Sequence, residues 1–499
     1  MSPLELHPAP FPLLSATLCA PLVAAALALL APSERSARLI AAIGAALALV
    51  CAMAVWASGD WGGSAGFQLV ERRMWIPSLN VQYLLGVDGM SAMLLVTTAL
   101  LGLGAQLGSW TSVAQHGRAW CALLLALESA LIGLFSALDL VLFFVFWELT
   151  LPAVYFLVSL WGVGPERRFA ALKYTLLMLT GGICLLFGVV LLGLAHQDLT
   201  GALAFDLPSL LAAPIPPGAQ GLIFVLMFIG LSVKIPVWPL HSWLPTIAME
   251  GPPAGLALFV GLKVGLYGLL RFAMPLLPFA AAQARGWLVG LGLLGFGVAA
   301  LIALSQRNLR RQVAWLSMSH AGLLTVAVGA GGALAIQGAM VQLSNLGLVT
   351  GGLLLALGFL LQRRGSTDVE ALGGLAAPAP RLAALVLGFG LASAGVPGTG
   401  GFVTEWLLLR GLAEASPVLA LLGLLGGADG AAAFALAFRA AFWGPLRPGL
   451  QVPDLRPREA AVLLVGMVIL LGGGLLPGPA LDATAPAAEL LAALLAQAR

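Results

Sequence analysis

The stretch LSVKIPVWPLHSWLPTIAMEGPPAGLALFVGLK, residues 231–263, decides the fold predicted for this chain. It sets Lys234 just before Pro236 and Pro239 inside an apolar segment, and Lys263 closes the next apolar run. Proline inside a membrane span frees backbone carbonyls, which is tolerated only where protein or a watery cavity satisfies the backbone. The stretch therefore predicts a broken transmembrane helix that carries a buried lysine.

Lysine is rare in this sequence. The lysines are Lys173, Lys234 and Lys263, and the remaining fixed positive charges are arginines. A desolvated lysine can release its proton near neutral pH, whereas an arginine effectively cannot. This allocation favours proton chemistry at the lysines.

Composition excludes a soluble protein. The 499 residues are 60% hydrophobic and 9% charged, with a mean hydropathy of +1.02, whereas soluble domains carry about 25% charged residues. The net charge of +3 is scattered without a basic run, so nucleic acid is not expected as a partner. The four cysteines form no CxxC pair, and no Walker loop or metal-ligand spacing occurs. We expect no cofactor or metal on this chain.

Hydropathy predicts an all-α polytopic membrane protein, because about 20 apolar residues are needed to cross the hydrocarbon core. The first span has no Lys or Arg before it, so we expect it to be retained rather than cleaved as a signal peptide. Residues 484–498 are predicted to form an amphipathic surface helix. About fourteen spans are predicted, near 11–31, 37–57, 86–109, 118–137, 139–162, 169–195, 219–241, 252–274, 286–305, 311–330, 333–361, 381–412, 416–444 and 459–477.

Two spans are interrupted in similar ways. The seventh carries the prolines after Lys234, and the twelfth carries GVPGTGG, residues 395–401, before Glu405. Broken helices five spans apart predict two inverted five-helix repeats, an arrangement with which transporters build ion sites. We expect four units: 1–117 with spans 1–3, 118–274 with spans 4–8, 275–444 with spans 9–13, and 445–499 with span 14 and the tail.

Arginines concentrate in the loops after odd-numbered spans, as in the pairs Arg167–Arg168 and Arg363–Arg364. Cytoplasmic loops keep such residues, so both termini are predicted on the non-cytoplasmic side. Arg271 falls near a span end and is assigned to an outer loop. Lys234 and Lys263 are then the cations expected within the membrane.

Further ionisable residues fall inside the predicted spans. Each costs roughly 2.5–3.5 kcal/mol at mid-membrane on insertion scales, so a full set retained only for packing is not expected. The alternative is that they merely pair and hold helices together. His241, at the end of the broken seventh span, is a secondary candidate. The set comprises Glu128, Glu148, Lys234, Lys263, His320, Glu405 and Asp429, with Glu128 and Asp429 also ranked as secondary.

These residues suggest a proton relay. A carboxylate about 4 Å from an ammonium contributes about 4 kcal/mol at an effective dielectric near 20. We expect Glu148 to pair with Lys234, Lys263 to be the next carrier and Glu405 the exit. His320 suits the bridge between them because histidine titrates near neutral pH, although a histidine bonded to a backbone carbonyl is the alternative.

Several segments resemble the antiporter-like membrane subunits of proton-pumping NADH:quinone oxidoreductase, respiratory complex I, and most closely the type called subunit 4 or chain M. The resemblance covers roughly 70 to 480. Its segments are WIPSLNVQYLLGVDGMS (75–91), FSALDLVLFFVFWELTLPAVYFLVSLWG (135–162), KIPVWPLHSWLP (234–245), LKVGLYGLLRF (262–272), AWLSMSHAGLL (314–324) and VPGTGGFVTEW (396–406).

The resemblance implies fourteen transmembrane helices, with a half-channel built by each repeat. It places the family's essential residues on Glu148, Lys234, Lys263, His320 and Glu405. It also implies other membrane-arm subunits as partners, within a multi-pass protein of the inner, cytoplasmic membrane. NADH, FMN, iron–sulfur clusters and quinone are expected on those partner subunits.

The sequence departs from the family pattern at several positions. Thr246-Ile247-Ala248 stands where Asp-Ala-His is usual, and Leu346, beside Asn345, replaces a usual histidine. Related subunits and cation/proton antiporters usually place a lysine where this chain has Glu405. A subunit of a complex I-related hydrogenase, a multisubunit cation/proton antiporter and a scaffold subunit without transport remain the alternatives.

Overall fold

The computed structural model describes residues 5–63, 66–445 and 452–498. Helices dominate, joined by short turns, and a small sheet lies near the N-terminus. The strands are β1 Leu6–Pro8, β2 Phe67–Ile76 and β3 Val81–Val87. The helices are α1 Leu13–Leu30, α2 Glu34–Ser58, α3 Gly89–Gly108, α4 Gly117–Ser136, α5 Leu140–Trp161, α6 Arg167–Thr200, α7 Leu207–Ala212, α8 Pro217–Lys234, α9 Trp243–Glu250, α10 Pro253–Phe259, α11 Val264–Gly268, α12 Met274–Leu276, α13 Pro278–Gln283, α14 Arg285–Leu304, α15 Leu309–Ala330, α16 Ala333–Arg364, α17 Pro380–Ser393, α18 Gly400–Ala415, α19 Pro417–Phe438, α20 Pro457–Leu475 and α21 Gly478–Gln497.

Fourteen helical segments of the described chain are long and apolar enough to cross a membrane. The predicted number agrees, but the set differs at two places. The predicted twelfth span consists of the shorter helices α17 and α18, and α21 meets the length and composition criterion instead. The polytopic helical fold predicted from hydropathy is confirmed.

Both predicted helix breaks occur in the structure. α8 ends at Lys234 and the chain turns until α9 begins at Trp243, while α17 ends at Ser393 and α18 begins at Gly400. The eighth span is also broken, at Lys263, between α10 and α11. Sequence reasoning missed this third break because neither proline nor a glycine pair marks it.

Short polar residues begin several spans. Asp139 accepts hydrogen bonds from the backbone N–H groups of Val141 and Leu142 at the start of α5. Asn308 does the same for Arg310 and Arg311 at the start of α15. Such caps satisfy N–H groups that have no partner within the helix, so the polar residues at these loop ends fix where the helices start.

The sheet was not predicted. β1 pairs in parallel with β2, and β2 pairs antiparallel with β3 through a turn that contains Asn80 in the left-handed conformation. The signal was present as strand-favouring residues on both sides of Pro77–Asn80. The predicted third span begins at residue 86 and so includes the last two residues of β3, Gly86 and Val87, because hydropathy alone cannot separate a buried strand from a helix.

The interior of the bundle is formed by α10 to α12 with α15 and α16, whose residues are almost all buried. By contrast, α1, α2 and α6 present rows of exposed leucine, valine and isoleucine, as expected of a lipid-facing surface. Lys263 and Ser317 therefore lie in the centre of the molecule, on elements that other helices surround.

The C-terminal helix α21 lies across one end of the bundle. Its Leu481 carbonyl oxygen accepts a hydrogen bond from Gln337, at the start of α16, and Ala483 packs on Gly89 at the start of α3. Farther along, Leu491 lines a cleft with Arg271. These partners lie at or near helix ends, so α21 crosses one end of the bundle. The predicted position of the tail on the membrane surface stays a prediction.

Candidate functional site

Lys234 is the last residue of α8, at the break of the seventh span. Its Nζ donates hydrogen bonds to the Trp147 carbonyl oxygen at 2.8 Å and to Thr150 Oγ1 at 2.9 Å, both on α5. The same nitrogen lies 3.9 Å from the centroid of the Trp147 ring. Two neutral acceptors and an aromatic face thus hold this ammonium group.

The break beside Lys234 has its own backbone partner. The indole Nε1 of Trp243 donates a hydrogen bond to the Val233 carbonyl oxygen at 2.9 Å. A helix that stops in mid-membrane leaves carbonyls without a partner, and each must be satisfied by protein or water. The first residue of α9 therefore supports the end of α8 and keeps Lys234 in place.

Glu148 follows Trp147 on α5, but it does not contact Lys234. No ion pair between the two side chains occurs among the described residues, and Glu148 Oε1 is buried there without a hydrogen-bond partner. It lies against α6, where a Cβ at Gly182 would come within 2.2 Å of that oxygen. The predicted direct pair is therefore not formed in this conformation, because the ammonium group points at the Trp147 carbonyl and Thr150 instead.

Lys263 is the most enclosed of the predicted relay residues, with 2% of its surface exposed. Its Nζ donates to the Val260 carbonyl oxygen at 2.9 Å and to Ser317 Oγ at 2.6 Å. Its backbone has φ of +46°, a left-handed conformation that is uncommon for a residue with a Cβ. The backbone is therefore strained at Lys263, where the chain turns and the lysine side chain reaches Ser317 on α15.

His320, on α15, bridges to Glu405. Its Nδ1 lies 2.8 Å from the Leu316 carbonyl oxygen, and its Nε2 lies 3.0 Å from the Ser393 carbonyl oxygen and 3.5 Å from Glu405 Oε1. A neutral imidazole carries one N–H, whereas imidazolium carries two. The position of the ring between two carbonyls and a carboxylate fits the charged form. The ring contacts Glu405, and its role as a bridge from Lys263 stays a prediction.

Glu405 is positioned by the break of the twelfth span. The turn between α17 and α18 contains Gly395 and Gly398 with φ of +61° and +92°. Glycine adopts these angles without steric cost. A Cβ at Gly395 would also lie 2.1 Å from Glu405 Oε2. Glycine is therefore required here for both the turn and the space of the carboxylate.

The secondary candidates Glu128, His241 and Asp429 lie apart from the contacts described above for Lys234, Lys263, His320 and Glu405. Glu128 is fully buried against Gly102 of α3, and neither carboxylate oxygen has a hydrogen-bond partner in the described ranges. His241 packs its ring 5.6 Å from that of Trp315. Asp429, expected to be a buried acid, is only partly buried on α19.

Arg271 was assigned wrongly to an outer loop. It lies in the helical segment after Lys263, is buried, and forms an ion pair with Asp88 at 2.5 Å between Nη2 and Oδ1. Tyr267 and Ser91 complete this polar group. Thus Lys234 and Lys263 are not the only cations inside. The spacing in the sequence could have indicated that Arg271 is buried, since Lys263, Tyr267 and Arg271 recur every four residues on one helix face.

Two hydroxyl groups of the site were missed by sequence reasoning. Thr150 contacts Lys234, and Ser317 contacts Lys263. Neither stands out in a sequence, because serine and threonine are common in transmembrane helices and carry no charge. Within the described ranges, no group of three or more His, Cys, Asp or Glu side chains could hold a metal ion.

Comparisons with known proteins give a consistent picture. Residues 137–428 match the family described as NADH:quinone oxidoreductase/Mrp antiporter, TM. The chain is 34% identical over 466 residues to NADH-quinone oxidoreductase subunit M of Pseudomonas aeruginosa, which covers 91% of this chain and 92% of that protein. It is also 34% identical over 443 residues to F(420)H(2) dehydrogenase subunit M of Methanosarcina mazei, covering 87% and 88%.

A solved structure has the same fold. A chain of respiratory complex I from Thermus thermophilus with bound NADH superposes on this chain with a TM-score of 0.89 at 33% sequence identity. The match covers 97% of this chain and 99% of the other. The fold is therefore shared over nearly the whole length of the two chains.

Proposed function

Because the chain belongs to the NADH:quinone oxidoreductase/Mrp antiporter transmembrane family, we propose that it is the proton-translocating M-type subunit of an NADH:quinone oxidoreductase. It is a multi-pass membrane protein. The observation that carries the proposal is the placement of Lys234, Lys263 and Glu405 at three helix breaks inside the bundle. Retaining ionisable groups at such positions is costly and typical of proton paths.

The relay starts at Glu148 and Lys234. In this conformation they are separated, and the hydrogen-bond acceptors of the lysine are neutral groups. Bringing the carboxylate to about 4 Å would add about 4 kcal/mol of attraction at an effective dielectric near 20. Alternation between the separated and paired arrangements would therefore change how readily Lys234 gives up its proton, and would pass charge inward to Lys263.

The relay ends at His320 and Glu405. The two side chains already touch, and the carboxylate lies beside the glycine-rich turn that interrupts the twelfth span. Moving a proton against 100 mV costs about 2.3 kcal/mol. This energy must come from the reduction of quinone on partner subunits, which would also hold NADH, FMN and the iron–sulfur clusters. The partners of this chain are then other membrane-arm subunits.

Replacing charge at the start of the relay tests the proposal. Glu148→Gln and Lys234→Met in the assembled complex should each lower proton uptake into inverted vesicles by at least about tenfold, as for lost acid–base groups. Glu414→Gln is the control, because Glu414 is exposed and pairs only loosely with Arg410. Full proton uptake in both relay variants would refute the proposed function.

A second candidate function differs in the enzyme complex whose reaction would drive proton transport through this chain. The relative from Methanosarcina mazei, named as a dehydrogenase subunit for F(420)H(2), is as similar in sequence as the bacterial subunit M. A hydrogenase-related complex or a multisubunit cation/proton antiporter would use the same fold. Glu405 in place of lysine disfavours the antiporter. The subunits that co-purify with this chain, with or without an NADH-oxidising module, separate these cases.

We also propose the two inverted repeats as units of transport. They comprise 118–274, with Glu148, Lys234 and Lys263, and 275–444, with His320 and Glu405. The contact of Lys263 with Ser317 on α15 joins one unit to the other. Each repeat then contributes one half of the path, and the junction between them lies at the centre of the bundle.

A further inference from the structure

Lys263 and Glu405 are separated by two helices that could carry a proton between them. On α16, Leu346 is buried and supplies no polar side chain, and its backbone carbonyl packs on Gly261. Thr350 of α16 contacts Ser317, whereas Asn345 and Gln342, farther along the helix, are bonded to each other, and Gln342 is also bonded to Thr404 at the break of the twelfth span. Residues 346–349 of α16 carry no polar side chain, so the helix has an apolar gap between Thr350 and Asn345.

α15 offers a polar connection instead. Ser317 accepts a hydrogen bond from Lys263 Nζ at 2.6 Å and one from Thr350 Oγ1 at 3.5 Å. With two donors directed at its oxygen, the serine keeps its own hydrogen to donate. His320 follows three residues later on the same helix, where side chains are neighbours at about 5–6 Å between Cβ atoms. His320 is therefore the next titratable side chain after Ser317 on α15.

We propose that the Ser317 hydroxyl is the relay group that carries the proton from Lys263 to His320. This inference rests on the proposed function. One N–H bond of the Lys263 ammonium breaks as an O–H bond forms at Ser317 Oγ. The original O–H bond of the serine breaks in the same event, and its proton reaches the His320 ring through one water molecule. Lysine ends as a neutral amine, serine and water are unchanged, and histidine ends as imidazolium.

The two carbonyl oxygens beside the His320 ring can accept hydrogen bonds from the two N–H groups of the imidazolium product. Leu316 and Ser393 each place an oxygen within 3.0 Å of a ring nitrogen. Both nitrogens must carry hydrogen for both contacts to be hydrogen bonds. Transfer to Glu405, 3.5 Å from Nε2, then returns the ring to its neutral form.

The test uses a pair of variants of equal volume in the assembled complex. Ser317→Thr keeps a hydroxyl and Ser317→Val removes it, so packing changes are shared by both. We expect Ser317→Val to lower proton uptake into inverted vesicles by at least about tenfold relative to Ser317→Thr, the scale of a lost proton-transfer group. Native electrophoresis normalises both rates to the amount of assembled complex.

Ser319 gives a matched control on the same helix. It is as buried as Ser317, at 3% exposure, but its hydroxyl donates to the Phe296 carbonyl oxygen away from the lysine. Ser319→Ala should pump normally, while Lys263→Met should not. Equal uptake by the valine and threonine variants, with Lys263→Met inactive, would overturn the role of Ser317 alone. Normal uptake by Lys263→Met would overturn the proposed function as well.

Discussion

At the residue scale, each buried lysine is held by neutral groups rather than by a carboxylate. Lys234 contacts a carbonyl, a hydroxyl and an indole ring, and Lys263 contacts a carbonyl and a hydroxyl. A lysine locked to a buried acid would be hard to discharge, because breaking such a pair costs several kcal/mol. Neutral acceptors hold the charge more weakly, which suits a group that must release its proton.

This arrangement makes Thr150 a determinant of the relay. A hydrogen bond to a charged group contributes about 1.5–3 kcal/mol, and Thr150→Val removes one of the two that Lys234 donates. We expect proton uptake to fall several-fold with normal assembly, measured in inverted vesicles. Thr325→Val is the control, since the equally buried Thr325 hydroxyl bonds only its own helix at Ala321. Equal uptake in the two variants would show that Thr150 is not required.

At the element scale, the broken helices bring backbone turns next to ionisable groups. The turn between α17 and α18 brings the Ser393 carbonyl to His320 and Gly395 to Glu405. Irregular backbone inside a membrane is tolerated only where protein or water satisfies it. The polar groups that satisfy the break are therefore the ones available for proton transfer.

Substitution of Gly395 tests whether the turn between α17 and α18 positions the Glu405 carboxylate. Gly395→Ala adds left-handed strain of about 1–2 kcal/mol and places a Cβ where Glu405 Oε2 now lies. The carboxylate must then move from His320, so we expect a loss of pumping larger than any loss of assembled complex. Gly365→Ala provides the comparison, since Gly365 has φ of +75° with no atom near its missing Cβ. A similar decrease in pumping by both variants would mean that backbone strain alone, and not displacement of the Glu405 carboxylate, reduces pumping.

At the scale of the whole molecule, the buried pair Asp88–Arg271 lies under α21. The C-terminal helix therefore closes the bundle at one end, beside the starts of α3 and α16. From the distribution of arginines we predict that this end lies on the non-cytoplasmic side and that the opposite end of α16, at Arg364, faces the cytoplasm.

A labelling experiment checks this orientation. Glu489 on α21 and Arg364 on α16 are both exposed and lie at opposite ends of the bundle. In spheroplasts, a membrane-impermeant maleimide should modify Glu489→Cys and leave Arg364→Cys unmodified, and inverted vesicles should reverse the result. The unsubstituted chain gives the background from its own cysteines. The opposite pattern would place both termini in the cytoplasm.

The sequence by itself determined the membrane class, most of the spans and two of the three breaks found in the described chain. Hydropathy and proline or glycine act locally, so their consequences can be read from neighbouring residues. The same local reasoning isolated Glu148, Lys234, Lys263, His320 and Glu405, because ionisable groups in apolar runs are costly wherever the run packs.

Only the tertiary structure decided which of these groups touch. In the structure Glu148 does not contact Lys234, and Lys263 donates a hydrogen bond to Ser317. Arg271 forms an ion pair with Asp88, 183 residues away in the chain. It also formed a small sheet from residues 6–8, 67–76 and 81–87, of which only 86 and 87 lie inside a predicted span. Contacts between distant segments depend on how helices rotate and pack against each other, and no local pattern in the sequence records that choice.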